Sequence, residues 1–215
     1  MGNSKKVAVI GLGNIGKIVA SNLVKGKQEI IVADRVFQKA ADLSKQLGNL
    51  AQPSEIVDAI KSADVIIFAI YFAAIKDSFI KYAAELQGKT IIDPSNPIAP
   101  DDKGGFKKIV GEKESSGQIL AGLLPKDAKL VKAFGTLGAG SLENASFAEP
   151  KNVLFYATEE SGLNHITEEL IRDSGFEPLR VGGLDKSIRI EVFGDLHEFG
   201  ALGKTVKIAE AKAKI

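Results

Sequence analysis

The sequence contains no cysteine and no tryptophan, only two histidines, and nearly equal numbers of acidic and basic residues. Without cysteine, the chain forms no disulfide, no thiolate metal site and no cysteine nucleophile. The formal net charge of +1 gives no reason to expect a nucleic-acid partner or an anionic membrane surface. The longest apolar run, residues 65–75, is too short for a membrane span. We therefore expect no nucleic-acid partner, no membrane partner and no metal site.

The composition is that of a globular protein, with 215 residues, of which 45% are hydrophobic and 26% charged. Residues 1–6 lead directly into the first apolar run and leave no room for a signal peptide. Lys6 also occupies the position where a myristoylation motif requires serine or threonine. The sequence therefore predicts a cytoplasmic protein.

Near its start, the chain has an apolar run that leads into three glycines with the spacing G-x-G-x-x-G. Residues 7–10 read Val-Ala-Val-Ile, and a helix-like stretch follows the glycines. Gly11 allows the tight turn, Gly13 lets the backbone approach a pyrophosphate, and Gly16 lets the helix pack on the strand. The N-terminus of that helix offers free N–H groups to the phosphates. These features predict a dinucleotide-binding loop formed by Gly11, Leu12, Gly13, Asn14, Ile15 and Gly16.

A second apolar run ends at Asp34, close to the position where this fold places its ribose-binding acid, about 20 residues beyond the glycines. A carboxylate there accepts hydrogen bonds from the ribose hydroxyls and repels a 2′-phosphate, by about 4 kcal/mol at 4 Å. Arg35 acts in the opposite direction, because a guanidinium stacks on adenine or binds a 2′-phosphate. Together the two residues slightly favour NAD(H) over NADP(H). The alternative is that Asp34 only caps the helix that begins near Phe37.

Apolar runs alternate with amphipathic stretches along most of the chain, a pattern typical of a parallel sheet with helices on both faces. The sequence predicts an α/β fold, a Rossmann-type doubly wound and mostly parallel sheet over residues 1–183. A short helical C-terminal extension is expected over residues 184–215, forming part of an acceptor pocket or of a dimer contact. We also expect Pro53 in the first turn of a helix and residues 99–114 in a long loop or lid.

Ligands of open α/β sheets bind outside the carboxyl ends of the strands. Ile70 or Tyr71 is therefore expected to line the nicotinamide ribose, and Asn96 to hydrogen-bond the carboxamide. The alternatives are a half-buried strand-end aromatic for Tyr71 and a simple tight turn for Asn96 and Pro97. The full set of strand-end cofactor candidates is Ala69, Ile70, Tyr71, Asn96, Pro97, Ala133 and Phe134, and the substrate candidates are Gly135, Thr136 and His197.

The sequence offers few proton donors for the reduction of a carbonyl, and no catalytic residue is assigned. His165 is expected to be exposed, and His197 either faces an acceptor pocket or packs as a structural residue. Lys132 is interpreted as an exposed charge at a strand end, with a cofactor or substrate role as the alternative. A flavin-like acceptor removes the need for a proton donor on the protein, because hydride passes between two stacked rings. The sequence therefore favours a ring-shaped hydride acceptor.

Two inner segments resemble the coenzyme F420-dependent NADP oxidoreductase family. They are residues 93–98, Asp-Pro-Ser-Asn-Pro-Ile, and residues 131–137, Val-Lys-Ala-Phe-Gly-Thr-Leu. Residues 182–184, Gly-Gly-Leu, and 189–191, Arg-Ile-Glu, extend the resemblance over about residues 5–200. The resemblance implies a Rossmann domain with a short C-terminal extension, NADP(H) binding, hydride exchange with a deazaflavin, and homodimers.

Two positions depart from the pattern of that family. Asp34-Arg35 replaces its Ser/Thr-Arg, which weakens the case for NADP(H), and Gly135 replaces an asparagine near the expected acceptor pocket. The sequence predicts an NAD(P)H-dependent oxidoreductase that transfers hydride between nicotinamide and a flavin, a deazaflavin (F420) or a similar redox acceptor. The alternatives are an imine or β-hydroxyacid reductase and a non-catalytic NAD(P)-binding redox sensor.

Overall fold

The computed structural model describes residues 5–215 as an eight-stranded sheet with helices on both faces and a separate two-stranded hairpin. The strands are β1 (Val7–Ile10), β2 (Ile30–Ala33), β3 (Ala51–Ser54), β4 (Val65–Phe68), β5 (Thr90–Asp93), β6 (Ile98–Pro100), β7 (Phe106–Lys108), β8 (Lys129–Lys132), β9 (Val153–Ala157) and β10 (Glu177–Gly182). The chain before Lys5, for which the sequence predicts neither a signal peptide nor a myristoylation motif, lies outside the described residues.

Eight α-helices and two 3₁₀ helices connect these strands within residues 5–215. The α-helices are α1 (Asn14–Lys25), α2 (Phe37–Leu47), α3 (Ile56–Ser62), α4 (Phe72–Lys81), α5 (Ser116–Ala121), α6 (Ala139–Asn144), α7 (Asn164–Asp173) and α8 (Ile208–Lys212), and the 3₁₀ helices span Ser161–Leu163 and Leu184–Arg189. Among the described residues, no helix combines the length and apolar character needed to cross a membrane.

The order of the strands confirms the doubly wound α/β fold. The sheet runs β3-β2-β1-β4-β5-β8 with all neighbours parallel, and β9 and β10 extend it beyond β8. β9 is antiparallel to β8, whereas β10 is parallel to β9. The strand order reverses between β1 and β4, so their carboxyl ends open the crevice in which such sheets bind ligands.

The two faces of the sheet bury separate halves of the core. Along β1, Val7 and Val9 pack on the face covered by α1, α2 and α7, whereas Ala8 and Ile10 pack on the face covered by α3, α4 and α5. All four residues are at most 2% exposed, as expected for a central parallel strand with both faces covered. The carboxyl end of β1 is therefore fixed from both sides, which positions the glycine loop that follows.

Several local expectations are wrong. Pro53 lies in β3 rather than in a helix, which is tolerated because β3 is an edge strand. Part of the expected loop over residues 99–114 forms the antiparallel hairpin β6–β7. The extension has helical turns at both ends, but residues 190–207 between them run in tight turns rather than in a helix. Gly194 and Gly200 lie in these turns, where close backbone packing leaves no room for a side chain.

The C-terminal extension packs back onto the sheet. Ile190, Leu196, Leu202 and Val206 form a third apolar cluster with the side chains of β9. The proposed division at residue 183 remains a prediction. The packing places the middle of the extension close to the carboxyl end of β8, beside the crevice.

Candidate functional site

The glycine loop has the backbone that a dinucleotide requires. Gly11 has a φ of +92°, and a Cβ there would lie 2.6 Å from the carbonyl oxygen of Ala69. At Gly16 a Cβ would overlap the carbonyl of Gly11, so the start of α1 packs tightly under the loop. A Cβ on Gly13 would meet no atom within 4 Å, because this residue faces open space. The open side of the loop is therefore at Gly13, where the pyrophosphate is expected.

The N-terminus of α1 is free to bind an anion. The first helical hydrogen bond is donated by Lys17 N–H to the carbonyl of Gly13, at 3.1 Å. The preceding N–H groups of Asn14, Ile15 and Gly16 therefore point out of the helix, and its first turn carries no acidic residue. This end of α1 has the positive dipole potential that favours phosphate.

Asp34 is buried and binds the glycine loop. Its Oδ2 accepts a hydrogen bond from Leu12 N–H at 2.8 Å, and its Oδ1 accepts one from Val36 N–H at 3.1 Å. The carboxylate therefore connects the loop to the start of α2, and Arg35 beside it is exposed. Only the bond to Val36 N–H lies at the start of α2, so helix capping is not the only role of Asp34. Its contact with ribose remains a prediction.

The β4 end contributes an apolar wall and an exposed aromatic ring. Ala69 and Ile70 are half-buried, and Ile70 packs against Gly11. Tyr71 is 85% exposed immediately before α4, so the alternative of a half-buried aromatic is wrong. The contact of Ile70 with the nicotinamide ribose remains a prediction, and Tyr71 follows the carboxyl end of β4, at the crevice.

The interpretation of Lys132 as an exposed charge is wrong. Lys132 is 2% exposed, and its ammonium lies 2.7 Å from the carboxylate of the fully buried Asp93 on the neighbouring strand. It also donates to the carbonyl of Ser95, and Ser95 N–H donates to Asp93 Oδ1 at 2.7 Å. A buried charge pair of this kind requires such additional hydrogen bonds. The pair fixes the turn after β5.

Asn96 connects three segments of the chain. Its Nδ2 donates to the carbonyl of Gly135 at 3.0 Å, and its Oδ1 accepts from Val192 N–H at 2.7 Å. The turn with the buried Pro97 thereby binds both the end of β8 and the C-terminal extension. Its predicted bond to the nicotinamide carboxamide would use the second amide hydrogen or the second lone pair of Oδ1.

The end of β8 is tightly constrained. Ala133, Phe134 and Thr136 are at most 2% exposed, and Phe134 has a φ of +65°. A Cβ on Gly135 would lie 2.5 Å from the carbonyl oxygen of Pro94, so the asparagine of the related family would require the backbone to move. This contact explains the glycine at that position. The hydroxyls of Ser95 and Thr136 have no hydrogen-bond partner among the described residues.

His197 is a buried structural residue. It is 1% exposed, its Nε2 lies 2.9 Å from the carbonyl of Gly135, and its Nδ1 accepts from Phe199 N–H at 2.9 Å. These bonds require a neutral ring with its proton on Nε2. Burial lowers the pKa of His197 to about 4. Of the two interpretations of His197, the structure therefore supports packing, and it places His165 on the surface as expected.

Two carboxylates of the extension bind helix N-termini, a role that the sequence did not indicate. Glu191, 1% exposed, accepts hydrogen bonds from the N–H groups of Ser116 and Gly117 at the start of α5, at 3.0 and 3.1 Å. Glu198 accepts a hydrogen bond from Gly138 N–H at 2.7 Å, at the start of α6. Across the described residues, no three side chains of metal-binding type are grouped to hold a metal ion.

The comparisons identify relatives among redox proteins. Residues 6–97 match the family described as NADP oxidoreductase coenzyme F420-dependent. The chain is 28% identical over 186 residues to Metalloreductase STEAP3 of Rattus norvegicus, covering 86% of this chain and 36% of the rat protein. It is 24% identical over 196 residues to the F420-dependent NADP reductase of Methanothermobacter thermautotrophicus, covering 86% of this chain and 84% of that protein.

A solved structure shows the same fold over almost the whole chain. It is that of a hypothetical protein from Sinorhizobium meliloti, with a TM-score of 0.80 and 27% sequence identity, covering 94% of this chain and 95% of the other. The fold therefore occurs in a protein of similar size. The rat relative, by contrast, is much longer, and this chain spans about a third of it.

Proposed function

We propose that the protein is an NAD(P)H-dependent oxidoreductase, because its residues 6–97 match the family described as NADP oxidoreductase coenzyme F420-dependent. Its acceptor is a planar redox ring of the flavin or deazaflavin class. The proposal rests on one observation. The glycine loop is open at Gly13, and the basic side chains at the strand ends beside it, Lys132 and His197, are already hydrogen-bonded within the protein.

The residues present fit a dinucleotide. The N–H groups at the start of α1 would hold the pyrophosphate, because Gly13 leaves its side of the loop open. Asp34 and Arg35 would meet the adenosine ribose, and Ile70 and Asn96 the nicotinamide end. The exposed Arg35 and the family both support NADP(H), whereas the carboxylate of Asp34 is the argument for NAD(H). We propose that the enzyme accepts either nucleotide.

When bound, the reduced nicotinamide supplies a hydride, and the acceptor takes its accompanying proton from solvent. Reduction of a carbonyl would instead require a proton donor beside the developing alkoxide. His197 cannot serve, since its Nε2–H is donated to Gly135 and its Nδ1 is occupied. Lys132 cannot serve either, because it is buried in an ion pair with Asp93. The chain's own residues then have only to position two rings, which supports a ring-shaped acceptor over a carbonyl or imine.

The names of two relatives are consistent with this proposal. One is called a metalloreductase and the other an F420-dependent NADP reductase. The family resemblance implies a homodimer, and the sequence predicts a cytoplasmic location; both are part of the proposal.

Turnover with a panel of acceptors tests the proposal. The protein is mixed with NADH or NADPH and with riboflavin, FMN, F420, a ferric chelate or a cyclic imine, and loss of the reduced-nicotinamide absorbance is followed. Riboflavin, FMN or F420 is expected to be reduced fastest. Oxidation by imines alone would favour an imine reductase, and tight nucleotide binding without turnover would favour a redox sensor.

A matched pair of glycine variants controls for nucleotide binding. Gly13→Val introduces a side chain where the loop is open and φ is −74°, so the protein is expected to fold and to lose turnover. Gly162→Val also points into open space, but beside α7, and is expected to retain activity. Equal activity of the two variants would contradict dinucleotide binding at the glycine loop.

A further inference from the structure

Two exposed phenylalanine rings lie on one loop beside the candidate site. Phe193 is 51% exposed and Phe199 is 58% exposed. Both belong to residues 192–200 of the C-terminal extension, which we call the aromatic loop. Large aromatic side chains are normally buried for the apolar area they contribute, so two exposed rings on a short loop at a crevice require a reason.

The aromatic loop is fixed to the carboxyl ends of β5 and β8. At its start, Val192 N–H donates to Asn96 Oδ1 at 2.7 Å. Near its end, Glu198 N–H donates to the carbonyl of Thr136 at 3.1 Å, and His197 is hydrogen-bonded to Gly135 at 2.9 Å. The loop is therefore part of the wall of the crevice at its nicotinamide end.

The loop folds back on itself and brings Gly200, the residue after Phe199, against the backbone of Phe193. A Cβ on Gly200 would lie 2.9 Å from the carbonyl carbon of Phe193, so the two backbones are in contact there. Gly194 N–H donates to the carbonyl of Glu191 at 2.8 Å, and Gly200 N–H donates to that of His197 at 3.0 Å. The closed loop holds both phenylalanines in fixed positions.

The backbone of Phe193 is strained, and its ring is half exposed. Its φ of +73° lies in the left-handed region, which non-glycine residues rarely adopt. Such conformations persist where the surroundings fix them, and they cluster at binding and active sites. The ring of Phe199 is supported from below by Gly138 and by His197, whose ring centroid is 5.6 Å away.

The two acidic side chains of the aromatic loop form hydrogen bonds within the protein. Asp195 accepts from Arg189 at 2.7 Å, and Glu198 accepts from Gly138 at 2.7 Å. Phe193 and Phe199 are the large apolar side chains that the loop exposes to solvent, beside Asp195, whose side chain is 52% exposed. A planar conjugated ring matches this surface, because aromatic rings prefer offset stacking on one another.

We propose that Phe193 and Phe199 form the stacking surface for the ring of the hydride acceptor, a flavin or deazaflavin. This inference rests on the proposed function and names the acceptor side of the same site. The two residues determine acceptor specificity without contacting the bound nucleotide's adenosine or pyrophosphate. His197, predicted as a substrate residue, acts beneath them as a positioning residue.

Direct binding tests the stacking surface. Riboflavin and F420 are titrated by fluorescence against the whole protein saturated with NADP⁺, for wild type, Phe193→Ala, Phe199→Ala, the double variant and Phe193→Tyr. NADPH affinity and oligomeric state by light scattering are measured alongside. Ile80→Ala, which removes an 80% exposed side chain on α4, is the matched control.

The double variant is expected to weaken riboflavin or F420 binding at least tenfold, whereas Phe193→Tyr and Ile80→Ala bind as wild type does. The affinity for NADPH is unchanged throughout. The assignment is wrong if the double variant keeps its ring affinity, if the wild type binds neither ring, or if the loss accompanies dissociation of an oligomer. A wild type that fails to bind NADPH contradicts the proposed function instead.

Discussion

The side chains of Asp34, Asn96 and His197 each bind backbone groups of a distant segment of the chain. Asp34 fixes the glycine loop, and the other two fix the carbonyl of Gly135. Each of these hydrogen bonds occupies a donor or an acceptor that a ligand could otherwise use. Positioning of the crevice and direct contact with ligands are therefore divided among different residues.

We expect cofactor preference to depend on two adjacent residues, Asp34 and Arg35. Asp34→Ser removes the charge that repels a 2′-phosphate, so the ratio of NADPH to NADH affinity is expected to rise about tenfold, or about 1.4 kcal/mol. Arg35→Ser is expected to shift the ratio in the opposite direction. Both dissociation constants are measured by nucleotide fluorescence.

Two outcomes would contradict selection of the nucleotide by the charge of Asp34. If Asp34→Ser weakens both nucleotides equally, the carboxylate acts only through its bond to Leu12 N–H and does not select between them. A wild type that already prefers NADPH would likewise show that Arg35 outweighs Asp34.

Lys132, which was misassigned from the sequence, and His197, for which two interpretations stayed open, both have partners that are distant in the chain. Lys132 resembles an exposed strand-end charge until Asp93, 39 residues earlier, is placed beside it. The partner of His197 is 62 residues away in the chain. The glycine loop, by contrast, could be predicted because its turn, open side and helix start are local properties of residues 11–16.

At the scale of elements, the central strands were predictable and the short helix α6 was not. β1, β4 and β9 are uninterrupted buried apolar runs, which only a covered sheet accommodates. α6 has only six residues and depends on tertiary contacts, so its sequence carries little periodic signal. The exposure of Phe193 also leaves no mark in the sequence, because it follows from the loop backbone.

Helix α5 depends on a carboxylate from the extension. Glu191→Ala leaves the N–H groups of Ser116 and Gly117 buried without an acceptor, so the free energy of unfolding is expected to fall by about 3 kcal/mol. Urea denaturation measures the change. Glu112→Ala, at an exposed position, is the control and is expected to change stability by less than about 0.5 kcal/mol. A small effect of Glu191→Ala would show that α5 needs no such cap.

At the scale of the whole molecule, buried His197 makes stability depend on pH. Burial lowers its pKa from 6.5 to about 4, so the unfolded chain binds the proton more tightly than the folded one. Its contribution is complete above the unfolded pKa and is lost as the pH falls towards 4. The loss reaches about 2 kcal/mol near pH 5 and about 3 kcal/mol below pH 4.

A comparison of two histidine variants isolates this contribution. Urea unfolding near pH 7 and near pH 5 is expected to show a smaller loss of stability in His197→Gln than in wild type, by about 2 kcal/mol. His165→Gln, on the surface, controls for replacing a histidine. Equal losses in wild type and His197→Gln would mean that the ring is hydrated or charged in the folded protein.

The bond between Asn96 and Val192 also has a consequence for synthesis on the ribosome. Val192 follows Asn96 by 96 residues, so at about 5 to 20 residues per second it is added about 5 to 20 s later. During that interval the glycine loop and its first strands are already complete, while the far end of the crevice lacks its wall. Synthesis thus completes the segments predicted to bind the adenosine half of a dinucleotide before the segment that lies beside its nicotinamide half.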